Sequence, residues 1–64
     1  MKIGVLGANG FLGRHMLARL ARENEVVAIC RREVDLGLPV RKADLLDVAS
    51  LEAAFDGLDC VVNA

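Results

Sequence analysis

The sequence lacks tryptophan and tyrosine altogether, and its 64 residues include one histidine, one proline and two cysteines. Without tyrosine, the chain has no phenol group to offer for proton transfer. Cys30 and Cys60 are too few for a disulfide framework, and with no CxxC spacing they do not form a metal-binding pattern with His15. We therefore expect both cysteines to be small buried hydrophobic residues in a reducing compartment.

An excess of charge of one sign is also missing. Eight Lys and Arg residues against nine Asp and Glu residues give a net charge of −1, so nothing favours non-specific binding to nucleic acid. The apolar run over residues 26–30 is far too short to span a bilayer. Residues 3–13 are uncharged, but glycines interrupt them and no A-x-A cleavage site follows, which argues against a signal peptide. The sequence predicts a soluble, cytoplasmic protein with neither a nucleic acid nor a membrane as partner.

The composition is nevertheless that of a folded chain. Apolar residues make up 55% of the sequence and charged residues 27%, which is outside the range of disordered segments. A chain of this length has room for one small domain, which buries only about 60% of the surface that its unfolded form exposes.

Four segments have the pattern of strands. Residues 2–6 and 26–30 are short apolar runs, typical of strands that are buried on both faces. Residues 40–43 form a weaker strand, and the two basic residues in it favour a sheet edge. A fourth strand begins at residues 60–62. Strands that alternate with helices predict a doubly wound, parallel α/β sheet with right-handed crossovers and the strand order 3-2-1-4.

Two segments have the pattern of helices. Residues 11–22 carry apolar side chains at helical spacing, and Asn24 is a candidate for a left-handed C-terminal stop. Residues 48–55 form the second helix, with Asp47 as its N-cap and Gly57 as its stop.

The connection between the second and third strands is unusually short. Only nine residues, 31–39, join them, whereas a parallel crossover normally needs a dozen or more. Either this crossover has lost its helix or the third strand is misplaced, and the sequence leaves both alternatives open.

Glycines at every third position, 4, 7, 10 and 13, allow two registers of a G-x-x-G-x-x-G motif. The register that starts at Gly7 leaves the longer strand ahead of the turn and puts Gly13 in the first helical turn. A sharp turn needs glycine at positive φ, and a pyrophosphate needs a backbone without Cβ atoms. The free amides of Phe11 and Leu12 would then meet the anion. The spacing of these glycines does not fit the P-loop motif. We favour phosphate binding over a simple turn as the role of the glycines.

Gly7-Ala8-Asn9-Gly10-Phe11-Leu12-Gly13 resembles the nucleotide fingerprint of the extended and atypical short-chain dehydrogenase/reductases, including the NAD-dependent epimerase/dehydratase and NmrA-like groups. Residues 43–47 followed by Ser50-Leu51 look like the segment after the third strand of that family, whose aspartate contacts adenine. Residues 59–64 are similar to its fourth strand, which ends beside the cofactor ribose. The resemblance covers the whole chain and implies a partial Rossmann-type domain over residues 1–64, with about four strands and two helices.

The residues expected to bind the cofactor, from the motif and the resemblance together, are Gly7, Asn9, Gly10, Phe11, Leu12, Gly13, Arg31, Arg32, Asp44, Leu45, Asn63 and Ala64. No residue of this chain is expected to be catalytic or to bind a metal.

The tip of the second strand favours NADP as the cofactor, with NAD as the alternative. In such folds a carboxylate about 20 residues after the glycines binds the ribose 2′-OH, while an arginine suits a 2′-phosphate. Arg31 and Arg32 occupy this tip, and a guanidinium can hold a phosphate through two hydrogen bonds. Alternatively, both are solvated loop charges or pair with Glu33 and Asp35.

Other candidates have structural alternatives. Asp44 could cap a turn instead of contacting adenine, but the resemblance favours the contact with adenine. Asn63 could line a cleft or merely end its strand. Arg14 could reach the 2′-phosphate or lie on the helix surface. Asp47 is assigned to capping, and His15 to the surface, because no carboxylate is positioned to orient it.

The resemblance implies that full-length relatives use a Tyr-x-x-x-Lys pair for proton transfer. This chain has no tyrosine, so we expect an N-terminal portion of a longer protein, which binds its small-molecule substrate through the missing C-terminal region. The first hypothesis is the NADP-binding part of an oxidoreductase or epimerase that acts on a sugar nucleotide or another small carbonyl or alcohol. The alternatives are a non-catalytic, NADP-sensing NmrA-like regulator and a structural cofactor-binding subunit.

Overall fold

The computed structural model describes residues 1–32 and 34–64. The elements in chain order are β1 (Lys2–Leu6), α1 (Phe11–Leu20), β2 (Glu25–Cys30), β3 (Val40–Lys42), α2 (Val48–Phe55) and β4 (Cys60–Asn63). The strands form one sheet in the order β3-β2-β1-β4, and every neighbouring pair is parallel. The predicted parallel α/β sheet and its strand order are confirmed.

The two helices cover opposite faces of the sheet, because successive residues of the central strands point to opposite sides. On the α1 side, Val5 and Ala28 are buried together with Leu17. On the α2 side, Ile29 is buried with Ala54. Burial on both faces explains why β1 and β2 read as continuous apolar runs rather than as alternating patterns.

The link between β2 and β3 contains no helix in its described residues, 31–32 and 34–39. Strand β3 pairs with β2 from Val40 onward. Val34, Leu36 and Leu38 pack against the core on the α1 side instead. The first of the two alternatives is therefore confirmed, since apolar residues of a non-helical segment, 34–39, cover the sheet there.

Helix α1 ends at Leu20, and the prediction of a left-handed Asn24 is wrong. No non-glycine residue in the described part of the chain has a positive φ. The side-chain amide of Asn24 instead donates to the carbonyl of Leu20 at 3.1 Å. The backbone amide of Asn24 donates to the same carbonyl at 3.1 Å. Asn24 thus satisfies a carbonyl at the helix end through both amides and without a left-handed backbone.

Both predicted ends of α2 are confirmed. Asp47 is the N-cap, and its carboxylate accepts a hydrogen bond from the amide of Ser50 at 3.3 Å. Gly57 has a φ of +74°. The Arg41 guanidinium donates from Nη1 to the carbonyls of Ala54 and Asp56, both at 2.7 Å, so the edge strand β3 is tied to the end of α2.

The two cysteines differ in burial. Cys30 is buried and Cys60 is exposed, and both are free thiols. The predicted burial of Cys60 is wrong because β4 is one of the two edge strands of the sheet, where Cys60 contacts the sulfur of Met1 at 3.8 Å. Neither helix described here is long and apolar enough to cross a membrane.

Candidate functional site

The turn from β1 into α1 has the conformation that the second glycine register predicts. Gly7 has a φ of +76°, a value that costs other residues about 1–2 kcal/mol. Its amide donates to the carbonyl of Ile29 at 3.0 Å, and its carbonyl accepts from the amide of Gly10 at 3.2 Å. The first bond fixes the turn against β2 and the second closes the turn, while Gly4 lies inside β1.

Gly13 allows the first turn of α1 to lie against the preceding loop. A Cβ atom at this position would overlap the carbonyl oxygen of Gly7 and would lie 2.7 Å from the Cα atom of Ala8. Both are backbone atoms of the turn, so neither can move aside as a flexible side chain could. The expected close packing of Gly13 is confirmed.

The first amides of α1 are available to a ligand. Gly10 is the N-cap without a side-chain cap, and the first backbone bond runs from the amide of Arg14 to the carbonyl of Gly10 at 3.0 Å. In the part of the chain that the structure describes, no acceptor faces the amides of Phe11, Leu12 and Gly13. Free amides at the positive end of a helix form a ready site for an anion.

The carboxyl ends of all four strands open into one cleft of about 430 Å³. Its lining residues are Leu6, Gly7, Asn9, Ile29, Cys30, Arg31, Ala43, Asp44, Leu45, Leu46, Asn63 and Ala64. Strand order reverses at β1, which pairs with β2 on one side and with β4 on the other. In open α/β sheets, ligands bind at such a point.

Seven of the residues proposed from the sequence lie together in this cleft: Gly7, Asn9, Arg31, Asp44, Leu45, Asn63 and Ala64. The remaining ones, Gly10, Phe11, Leu12, Gly13 and Arg32, do not line it. Phe11 points outward and stacks edge-to-face on His15 with 4.7 Å between ring centroids. Its side chain lines an open groove beside the cleft, together with Asn9, Arg14 and His15.

Sequence reasoning missed the apolar part of the cleft. The residues that it did not select are Leu6, Ile29, Cys30, Ala43 and Leu46. Most of them stand at the end of a strand or directly after one. The rule that ligands bind at the carboxyl ends of parallel strands was the signal that could have found them.

Arg31 and Asp44 are the charged residues of the cleft lining. Arg31 is exposed at the end of β2. The expected alternative partner Asp35 instead accepts a hydrogen bond from the amide of Gly37 at 3.1 Å, and Glu33 lies outside the described residues. Asp44 both lines the cleft and caps a turn, since its Oδ1 accepts from the amide of Leu46 at 2.9 Å.

A sequence model of a known family matches nearly the entire chain. The family is described as the NAD dependent epimerase/dehydratase family, and the match covers residues 3–64. An isoflavone reductase homolog of Zea mays is 34% identical over 97% of this chain. An uncharacterized protein of Mycobacterium tuberculosis is 39% identical over 98% of it.

Solved structures match the fold at similar identity. Uronate dehydrogenase from Agrobacterium tumefaciens is 32% identical over 97% of the chain, with a TM-score of 0.85, and a tyrosine-to-alanine variant of it in complex with NAD gives the same values. A Burkholderia pseudomallei protein described as exported is 37% identical over the whole chain, with a TM-score of 0.87. The chain spans only 25% of the maize and Agrobacterium proteins, 8% of the mycobacterial one and 31% of the Burkholderia one.

Proposed function

Because the chain belongs to the NAD dependent epimerase/dehydratase family, we propose that its cleft binds an adenine dinucleotide, NADP in preference to NAD. The family match and the NAD complex of the uronate dehydrogenase variant support a nicotinamide dinucleotide as the cofactor. The observation that carries the proposal is the bare turn after β1, where three helix amides lack acceptors within the described chain.

The residues of the cleft and of the turn beside it fit this ligand. Gly7 presents a backbone without a Cβ atom, and the unbonded amides of α1 suit the diphosphate. Asn63 and Ala64, at the end of β4, would lie beside a ribose. Asp44 and Leu45 would form the adenine side.

The preference for NADP depends on Arg31. This residue lines the cleft at the end of β2, the position at which a carboxylate would bind a ribose 2′-OH. A guanidinium there would attract a 2′-phosphate through charge-assisted hydrogen bonds. Arg32, exposed next to it, adds positive charge.

We predict that the double change Arg31→Asp with Arg32→Ala weakens NADPH binding much more than NADH binding. Loss of charge-assisted bonds and added repulsion should raise the Kd for NADPH by about tenfold to 100-fold. The Kd for NADH should rise by less than about threefold, because NADH has no 2′-phosphate and the new carboxylate can accept a hydrogen bond from its ribose 2′-OH. Fluorescence titration of both reduced nucleotides measures this directly.

The matched control is Arg19→Asp with Arg22→Ala, which makes the same charge change on exposed residues in the last turn of α1 and just after it. It should leave both affinities unchanged. Equal losses for NADPH and NADH in the cleft variant would refute the NADP preference. No binding of either nucleotide by the unaltered protein would refute dinucleotide binding itself.

We propose that the whole protein is an oxidoreductase or epimerase that acts on a sugar nucleotide or another small carbonyl or alcohol. Two matched relatives, uronate dehydrogenase and the isoflavone reductase homolog, carry the names of oxidoreductases. A bound nicotinamide would supply hydride chemistry, and the residues of this chain would bind and orient it. Steady hydride transfer from NADPH to a panel of carbonyl compounds, by the longest natural polypeptide that contains the chain, tests this. Tight binding without turnover would instead favour a regulator.

We also propose a cytoplasmic location, which the two free thiols support. Because the Burkholderia neighbour is described as exported, fractionation of cells that produce the protein is the appropriate test.

A further inference from the structure

The segment between β3 and α2 is a tight turn that forms one wall of the cleft. Asp44, Leu45 and Leu46 belong to the cleft lining. The amide of Asp47 donates to the carbonyl of Asp44 at 2.9 Å and closes the turn. Leu45 and Leu46 are 67% and 94% exposed, so apolar packing does little to hold this wall in place.

The hydroxyl of Ser50 joins the two ends of this turn. Its oxygen accepts a hydrogen bond from the amide of Asp44 at 3.0 Å. The hydroxyl donates to the carbonyl of Asp47 at 2.8 Å, with the carbonyl of Asp44 as a second acceptor at 3.2 Å. Ser50 itself is half-buried in α2 and does not line the cleft.

The turn is thus anchored on two sides. On the sheet side, the amide of Ala43 donates to the carbonyl of Cys30 at 3.0 Å. On the helix side, the Ser50 hydroxyl provides the bond to Asp44. Oδ1 of the Asp44 carboxylate accepts from the amide of Leu46. No donor of the described turn bonds to Oδ2, so this oxygen is available to an exocyclic amine.

We propose that Ser50 is a positioning residue for the adenine side of the cleft. Its hydroxyl fixes the backbone of Asp44, so that the carboxylate can accept a hydrogen bond from the 6-amino group of the base. The inference rests on the proposed dinucleotide binding. The inference goes beyond that proposal because it assigns selectivity for the base to Ser50, a residue that the ligand would not touch.

The test compares NADPH with its hypoxanthine analogue, in which an oxo group replaces the 6-amino group. The unaltered protein should prefer NADPH. Ser50→Ala should weaken NADPH by about threefold to tenfold, the effect of one hydrogen bond, and should leave the analogue within about twofold. Ser50→Thr retains the hydroxyl and should restore the preference. Glu52→Ala, an exposed change on the same helix, is the control and should alter neither affinity.

A double-mutant cycle separates positioning from a general loss of structure. In an Asp44→Ala background, Ser50→Ala should cause no further loss of base preference, because the group that it positions is gone. Ser50→Cys, with a weaker donor of similar size, should lie between serine and alanine, and it replaces the alanine variant if that variant fails to fold.

The result that would overturn the inference is an equal loss for NADPH and the analogue in Ser50→Ala, or a threonine variant that behaves like alanine. An unaltered protein that binds neither nucleotide would overturn the proposed function itself. That outcome is visible before any variant is made, so the two failures are distinguishable.

Discussion

Gly13 and Gly10 belong to the same glycine string, but their surroundings differ. A Cβ atom at Gly13 would collide with backbone atoms of Gly7 and Ala8. At Gly10, a Cβ atom would lie 3.5 Å from the carbonyl oxygen of Gly7, an ordinary contact, and its φ of −79° suits any residue. One glycine is therefore required by packing, whereas the other leaves room for a methyl group.

We predict that Gly13→Ala lowers the free energy of unfolding by about 2–3 kcal/mol, because the helix must move away from the turn. Gly10→Ala should change it by less than about 1 kcal/mol. Urea denaturation, followed by circular dichroism, measures both values. Similar stabilities of the two variants would show that α1 does not depend on this close approach.

Strand β3 contains two adjacent basic residues, Arg41 and Lys42, and only Arg41 connects the strand to helix α2. Arg41 donates to two carbonyls at the end of α2, whereas its neighbour Lys42 is exposed. The last carbonyls of a helix carry partial negative charge and lack intrahelical donors, so a cation there is favourable.

We predict that Arg41→Met lowers the free energy of unfolding by about 1–2 kcal/mol, since it removes two hydrogen bonds from a partly exposed site. Lys42→Met removes the same charge from the same strand and should change stability by less than about 0.5 kcal/mol. Thermal unfolding of the two variants side by side provides the comparison. If both lose equal stability, the net charge of β3 rather than the Arg41 contact is responsible.

The elements with strong local signals were predictable from the sequence. The apolar runs predicted β1 and β2, and the N-cap residue Asp47 and the stop residue Gly57 predicted the ends of α2. What failed depended on tertiary context. Asn24 can end a helix with a left-handed backbone or by donating its amides to a carbonyl of the last turn, and only the packed structure selects the second. The exposure of Cys60 follows from the position of β4 at an edge of the sheet. The predicted strand order implied this position, but the apolar pattern of residues 60–62 favoured burial.

The candidate site divides in the same way. Gly7, Arg31 and Asp44 could be selected from the sequence because each follows the end of a predicted strand and is of a type that can bind a nucleotide there. The apolar residues Ile29 and Ala43 line the same cleft but have the sequence pattern of core residues. Only the assembled sheet distinguishes the wall of a cleft from the interior.

The molecule as a whole has a small core. Fully buried side chains of appreciable size are limited, among the described residues, to Ile29 and Val5. The cleft is built from the ends of all four strands, so a ligand there would contact segments from both halves of the chain. Binding should therefore stabilise the fold as a unit, since the unfolded chain has no such cleft.

We predict that NADPH at about 100 times its Kd raises the free energy of unfolding by about 2.7 kcal/mol. For a domain of this size, each kcal/mol raises Tm by about 4–8 °C, so the shift should reach roughly 10–20 °C. Thermal unfolding over a series of NADPH concentrations tests this, with nicotinamide mononucleotide, which lacks the adenosine half, as the control that should shift Tm far less. The Arg31→Asp, Arg32→Ala variant should need proportionally more NADPH for the same shift. A Tm that does not depend on NADPH concentration would mean that the cleft does not hold this nucleotide.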